Sequence, residues 1–166
     1  MNKEINIEKL NIRKADKEDS SLLRDLIKGL AAYEKRPQDM TGTEEQLNYW
    51  LFERKIAAAL IAEYDGKAIG YALYYPVFGS FSAAGGVHLE DFFIKEEFRG
   101  CGFGRCFLAG VAEAVLAEGY TEMEWSCLDW NEAAVGFYEK LGAKQETGRV
   151  YLGFHKSELQ EIAALR

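Results

Sequence analysis

Cysteine is scarce in this chain of 166 residues: three occur, Cys101, Cys106 and Cys127, and none stands in a C-x-x-C pair. An odd number without zinc-type spacing argues against a disulfide framework and a thiolate metal site; it reads as free thiols in a reducing compartment, packing as small apolar side chains. Positive charge is also in short supply. Lys and Arg number 20 against 27 Asp and Glu, a net charge of −7. That balance works against nucleic acid and anionic membranes, which select clustered cations, and agrees with a cationic partner. No apolar run is long enough to span a bilayer, and the N-terminal MNKEINIEKL is charged where a leader would be apolar. The expected setting is therefore cytoplasmic, with neither nucleic acid nor membrane as partner. No repeat, linker or low-complexity tract divides the sequence. Residues 1–166 are read as one domain, with 1–9 a loose extension, and a hydrophobic content of 48% is ample for its core.

What is present alternates between strand and helix signals. "NIRKA" is a short strand, followed by a helix that Asp16 or Asp19 can cap and that carries Leu22, Leu23, Leu26, Ile27 and Leu30 to about Tyr33. Thr43 and Gln46 have capping-box spacing and open a second helix with Leu47, Trp50 and Leu51 on one face. Asp65-Gly66 joins "IAAALIAEY" to "KAIGYALYY" as a tight hairpin, which Pro76 is expected to end. "GSFSAAGG" reads as a surface loop and "VHLEDFFI" as a strand. The tyrosines Tyr74 and Tyr75 read as edge-strand packing, with a cation–π surface as the alternative. A helix from Gly104 buries Phe107, Leu108, Val111, Val115 and Leu116 and stops at Gly119; then come strand "EMEWSC", helix "EAAVGFYEKLG", strand "RVYLGFH" and an amphipathic tail from Ser157. An early antiparallel hairpin with later β-α-β units implies an α/β class with a mixed, mainly antiparallel sheet and helices on both faces.

Glycine is concentrated between "VHLEDFFI" and the following helix, in Arg99-Gly100-Cys101-Gly102-Phe103-Gly104-Arg105. Unpaired N–H groups and the positive end of the helix dipole converge there, and without Cβ atoms the backbone can curl around a phosphate flanked by Arg99 and Arg105. A P-loop would need Gly-Lys-Ser/Thr where this chain has Gly-Arg-Cys, without the metal-binding hydroxyl. A dinucleotide fingerprint would need glycine in place of Arg105, and an antiparallel hairpin is a poor start for its fold. An ordinary flexible connection accounts for one glycine better than for three in register.

Arg-x-x-Gly-x-Gly between a hydrophobic strand and a helix resembles the pyrophosphate loop of the GNAT N-acetyltransferases. The segments "LEDFFI", "DWN" and "NEAAVGFYEKLGA", with "LIKGLAAYEK" and "GYALYY" upstream, are similar to the branch that acetylates diamines, polyamines and thialysine. The likeness runs from about Ile12 to the C-terminus and is most specific from Leu89 to Ala143. It implies a GNAT fold, acetyl-coenzyme A as acyl donor, a small-molecule amine as acceptor, attack in a ternary complex and a homodimer. Transfer to an amino-acid or peptide amine is the alternative, and a silent acyl-coenzyme A sensor the rival of another class.

Amine acetylation needs a group to take the ammonium proton and one to protonate the leaving thiolate. Glu90 and Asp91 interrupt an apolar strand; alternation turns one of them toward the packed face, where a structural ion pair with a basic residue of the chain is the other explanation. The resemblance makes Glu90 the general base and Asp91 a binder of the substrate cation, with Phe92, Phe93 and Ile94 offering backbone to the cofactor arm. It makes Tyr138, otherwise a plain core aromatic, the general acid. Arg99, Gly100, Cys101, Gly102, Phe103, Gly104 and Arg105 would hold the pyrophosphate. Asn131, a helix cap in any case, would contact the cofactor with Glu132, Ala133 and Ala134. Tyr33 and Glu34, otherwise a solvated helix end, and Glu124, Trp125 and Ser126 would line the amine site. Cys101 replaces a larger apolar residue of the pattern, Ala133 a proline, and "PVFGSFSAAGG" a bulkier aromatic stretch beside the amine entrance. His88 and His155 lack ligand companions, so no metal is expected.

Overall fold

A computed structural model describes residues 6–148 and 150–165. The chain divides into two compact units, Met1–Ser126 and Cys127–Arg166. The first holds a five-stranded sheet in sequential order, β1 (Leu10–Lys14), β2 (Ala58–Tyr64), β3 (Lys67–Gly79), β4 (Ala84–Ile94) and β5 (Glu122–Glu124). The first four are antiparallel neighbours and β5 lies parallel to β4, with α3 (Phe103–Ala117) connecting the two. The sheet is thus mixed and mainly antiparallel, as the element order implies.

Alternation along β2 distributes its side chains between two cores. Leu60 and Ala62 join Phe103, Phe107, Val111 and Val115 of α3 on one face, while Ala59 and Ile61 join Leu23 and Leu26 of α1 (Ser20–Tyr33) on the other. Leu116, expected in the α3 stripe, is 66% exposed, and Phe103 takes the inward position one turn from Phe107. Asp16 caps a 3₁₀ turn at Lys17–Asp19 ahead of α1, which frees Asp19 to accept two hydrogen bonds from Arg13. Thr43 and Gln46 form the reciprocal capping box of α2 (Glu44–Leu47). The helix runs on into a wide turn, Asn48–Glu53, which buries Leu51 but leaves Trp50 46% exposed.

The Asp65-Gly66 hairpin is as expected, with both residues at positive φ, 49° and 72°, the conformation a two-residue turn of this hand requires. Pro76 does not end it. β3 continues to Gly79 because β2 stops at Ala58, opposite Tyr74, so Pro76 lies on open edge where a missing N–H is tolerated. Half of the glycine-rich segment after it is strand, and residues 80–83 form the turn. Tyr74 lies where β3 pairs with both β2 and β4, so it is a core residue rather than an edge one, and its hydroxyl donates to Glu118 at 3.1 Å. The "EMEWSC" strand is regular only to Glu124.

In the second unit α4 (Glu132–Lys140) ends before Gly142, which takes φ 97°, and α5 (Lys156–Ala163) forms the tail helix. The expected strand "RVYLGFH" is not formed among its described residues. Val150, Tyr151 and Leu152 are at least 82% exposed and make no ladder there, and a strand exists only by pairing. Arg149, within that segment, and residues 1–5 of the expected loose extension lie outside the described residues. No helix among the described residues is long and apolar enough to cross a membrane.

Gly70 is paired with Ile94, and a Cβ there would run into the carbonyl oxygen of Phe93. Gly70→Ala is therefore expected to cost about 3 kcal/mol by forcing β3 from β4, measured as a lowered denaturant midpoint at unchanged slope.

Candidate active site

Glu90 occupies a β-bulge. Leu73 pairs with Asp91 and Tyr74 with Leu89, so Glu90 is the extra residue on β4. The bulge changes the parity of the strand: Val87 and Leu89 face the α3 core, and beyond it Phe92 and Ile94 do so, while Phe93 turns to the α1 core. Asp91 therefore lies on the α1 side, half-buried, where it accepts a hydrogen bond of 2.9 Å from the hydroxyl of fully buried Tyr71 on β3. Glu90, its side chain 54% exposed, stands on the same side, 3.7 Å from His88. Alternation anticipates the enclosed acid and the open one; the bulge supplies their closeness.

Burial pushes the Asp91 carboxyl up to about 6, and the neighbouring charges of Glu90 and Glu34 push the same way against the lowering effect of the Tyr71 hydrogen bond. Glu34 follows the last residue of α1, which is how a helix end reaches this acid pair. Tyr33 turns elsewhere. The Arg99 guanidinium lies 4.2 Å over its ring and 5.5 Å from that of Phe93, while Arg99 Nε donates to the Ile94 carbonyl at 2.7 Å. Arg99 and Tyr33 thus brace the glycine loop against α1. On β5, Glu124 pairs in register with His88 and lies 3.5 Å from it, Trp125 packs on the α3 core, and Ser126 is exposed.

The loop itself has the backbone its glycines allow: Gly100 and Gly102 take φ 72° and 88°. Gly102 is the N-cap of α3 and no side chain caps that end. The first helical bond runs from Cys106 to Gly102, so the amides of Phe103, Gly104 and Arg105 lack intrahelical acceptors at the positive end of the dipole. Exposed Arg105 adds charge, and Cys101 Sγ donates to the Arg99 carbonyl at 3.3 Å. This cradle fits a phosphate-bearing ligand.

In the second unit Asn131 Oδ1 accepts from the Ala134 amide at 3.3 Å and so caps α4, ahead of exposed Glu132 and Ala133. Tyr138 is buried, and burial, with Cys127 as a smaller influence, pushes its phenol above the ordinary range, so it stays protonated near neutral pH. Two residues of the first unit escaped sequence reasoning. Tyr71 gave no signal beyond a hydroxyl-bearing ring on a central strand, and His88 was visible only as a histidine two residues before Glu90.

Tyr71→Phe removes the donor that holds Asp91 down, so the Asp91 carboxyl is expected to titrate above its native value of about 6 in carbon-13 carboxyl NMR. The folded value already exceeds the ordinary carboxylate value of about 4, so the folded state holds this proton more tightly and stability falls as pH rises between the two. In the variant that fall extends to higher pH.

Comparison with known proteins accords with this geometry. The profile of the Acetyltransferase (GNAT) family matches residues 23–143. The chain is 34% identical over 145 residues to a thialysine N-epsilon-acetyltransferase of Sus scrofa, covering 82% of this chain and 85% of the relative. It is 40% identical over 80 residues to an L-ornithine N5-acetyltransferase of Arabidopsis thaliana, covering 48% of this chain and 35% of that one. Among solved structures, an integron cassette protein from V. cholerae superposes with a TM-score of 0.76 at 22% identity, over 93% of this chain and 98% of the other. An aminoglycoside acetyltransferase from an uncultured soil sample gives 0.77 at 16% identity, over 90% and 99%. These structures share the fold, a mixed α/β sheet flanked by helices, and the family match with the curated relatives carries the identification: the chain belongs to the GNAT family and is an acetyltransferase.

Proposed function

We propose that the chain transfers an acetyl group from acetyl-coenzyme A to the primary amine of a small cationic molecule, a diamine, polyamine or lysine-like compound, by direct attack in a ternary complex. The observation that carries the cationic acceptor is the acid group on the α1 side of the sheet: half-buried Asp91, held by Tyr71, with Glu90 and Glu34 close enough to raise it. Acids pushed together in this way favour a ligand that brings positive charge. The names of the curated relatives, thialysine and ornithine acetyltransferases, support a lysine-like amine.

When bound, acetyl-coenzyme A supplies the thioester whose carbonyl carbon the amine attacks. The residues of this chain do the rest. The amides of Phe103, Gly104 and Arg105, with Gly100, Cys101, Gly102 and Arg99, receive the pyrophosphate. Phe92, Phe93 and Ile94 present backbone beyond the bulge, and Asn131, Glu132, Ala133 and Ala134 complete the donor contacts. Glu90 takes the ammonium proton, the nitrogen forms its bond to the acetyl carbon as the carbon–sulfur bond breaks, Tyr138 gives its proton to the departing thiolate, and the proton the nitrogen sheds on becoming an amide restores the phenol. A phenol kept neutral by burial is in the right state to do so. Asp91, Glu34, Glu124 and Ser126 form the amine site, which Tyr33 borders beneath Arg99 and which Trp125, packed on the α3 core, backs. We also propose that both units act as one domain, since the family match crosses their boundary, and that the protein works as a cytoplasmic homodimer.

The test is an amine panel with acetyl-coenzyme A, following release of free thiol. Turnover on diamines and lysine-like amines is expected, and its absence on every amine, with coenzyme A still bound, would overturn the proposal. Tyr138→Phe is expected to lower kcat about 100-fold at unchanged coenzyme A affinity, and unchanged kcat would remove it as the acid.

A further inference from the structure

His88 sits between two carboxylates of the site. β4 and β5 run parallel with His88 opposite Glu124, and strand periodicity brings Glu90 to the same side. One ring nitrogen, Nε2, lies 3.7 Å from Glu90 Oε2, and the other, Nδ1, lies 3.5 Å from Glu124 Oε1. Tyr75 of β3 stacks on the ring at 5.2 Å and 23°, which fixes its plane. The imidazole is only 16% exposed, whereas Glu90 and Glu124 are 54% and 60% exposed. The carboxylates thus remain open to an incoming ligand while the ring between them is held in place. Ion pairs with acids this exposed contribute little to stability, so the fold itself has small use for the arrangement.

We infer that His88 is an internal cation that competes with the amine substrate for Glu90 and Glu124, and so sets the charge the site accepts. The inference rests on the proposed amine acetyltransferase activity, since it takes those carboxylates as the amine's partners. Neutral, the imidazole leaves both acids free and adds a lone pair that can accept from an ammonium group; a doubly charged amine then meets two open carboxylates. Protonated, the ring supplies one positive charge itself, and a dication entering the site meets a like charge at contact distance. An imidazole ordinarily changes charge between about pH 5 and 8. The groups facing it are Glu90 on its own strand, Glu124 on β5 and the Tyr75 phenol on β3. Asp91, raised to about 6, titrates over the same interval and also loses attraction for cations as pH falls, so the contribution of His88 is read by difference.

The experiment is calorimetric titration of 1,4-diaminobutane into the protein saturated with coenzyme A, at about pH 8 and about pH 5.5, for the native chain, His88→Gln and His88→Phe. The second variant keeps a ring against Tyr75 and serves if the first fails to fold. The native chain is expected to lose about tenfold more affinity on acidification than either variant, the scale of one like charge at contact distance in a partly exposed site. Both variants retain the smaller loss due to Asp91. Parallel losses in native and variant chains would overturn the role of His88 while leaving the acetyltransferase reading intact. Absence of diamine binding at pH 8 in all three would overturn both the role of His88 and the diamine reading. Binding with the expected difference but no acetyl transfer would uphold the role of His88 and overturn the transfer reading.

Discussion

One inserted residue in β4 governs the rest. Without the bulge at Glu90, the face that carries Val87 and Leu89 would continue through Asp91 and Phe93, driving a carboxylate into the α3 core and turning Phe92 and Ile94 out of it. With the bulge, the apolar set changes parity and both cores are filled from one strand. The same insertion interrupts the β3–β4 ladder where two acids follow one another. Core packing and site chemistry are thus two consequences of one irregularity, and the Phe93 carbonyl against Gly70 shows how tightly the ladder closes again just beyond it.

The glycine loop depends on that closure. β4 ends at Ile94, and the chain reaches α3 through a 3₁₀ turn at Glu96–Phe98 and the glycines. Arg99 is tied back by its bond to the Ile94 carbonyl and by its stack on Tyr33. By their motifs Arg99 reads as a phosphate contact and Tyr33 as a substrate contact. Their stacking links the loop to the end of α1, where Glu34 leaves the helix toward Asp91. The two ends of the proposed reaction therefore meet at a helix terminus whose position each influences through packed side chains.

Much of this was legible from local chemistry. The Asp65-Gly66 turn, the Thr43 capping box, the Gly119 and Gly142 stops and the glycine approach to α3 are set within a few residues, and each formed where expected. The errors about strands have a common cause, because each concerns pairing rather than local composition. Pro76 reads as a terminator until β2 is seen to stop short of it. "GSFSAAGG" reads as a loop because glycine weakens strands, yet pairing across the 80–83 turn with Val77 and Phe78 holds Gly85 and Gly86 in one. "RVYLGFH" has strand composition but no ladder among its described residues. The acids of β4 and the tyrosine of α4 could be named from their motifs. Tyr71 and His88 could not, since a hydrogen bond across two strands and a contact through a parallel pair appear only once the register is known.

The way this protein treats its carboxylates separates scaffold from site. On the scaffold side, Arg13 of β1 bonds Asp19 ahead of α1 and holds its carboxyl below the ordinary range, and Glu63 of β2 is held low by bonds from Asn11 and then Arg13. Such acids contribute stability above their unfolded values, and it is lost as pH falls through the folded ones. Asp91 is handled in the opposite way: it is buried beside two further acids, given a neutral phenol instead of a guanidinium, and left with a raised carboxyl, so its ionisation opposes folding as pH rises. An arginine thus bonds buried Asp19, and a tyrosine hydroxyl stands in that place at half-buried Asp91. In the proposed function a cationic acceptor balances these acids, and His88 is the chain's own partial substitute for it.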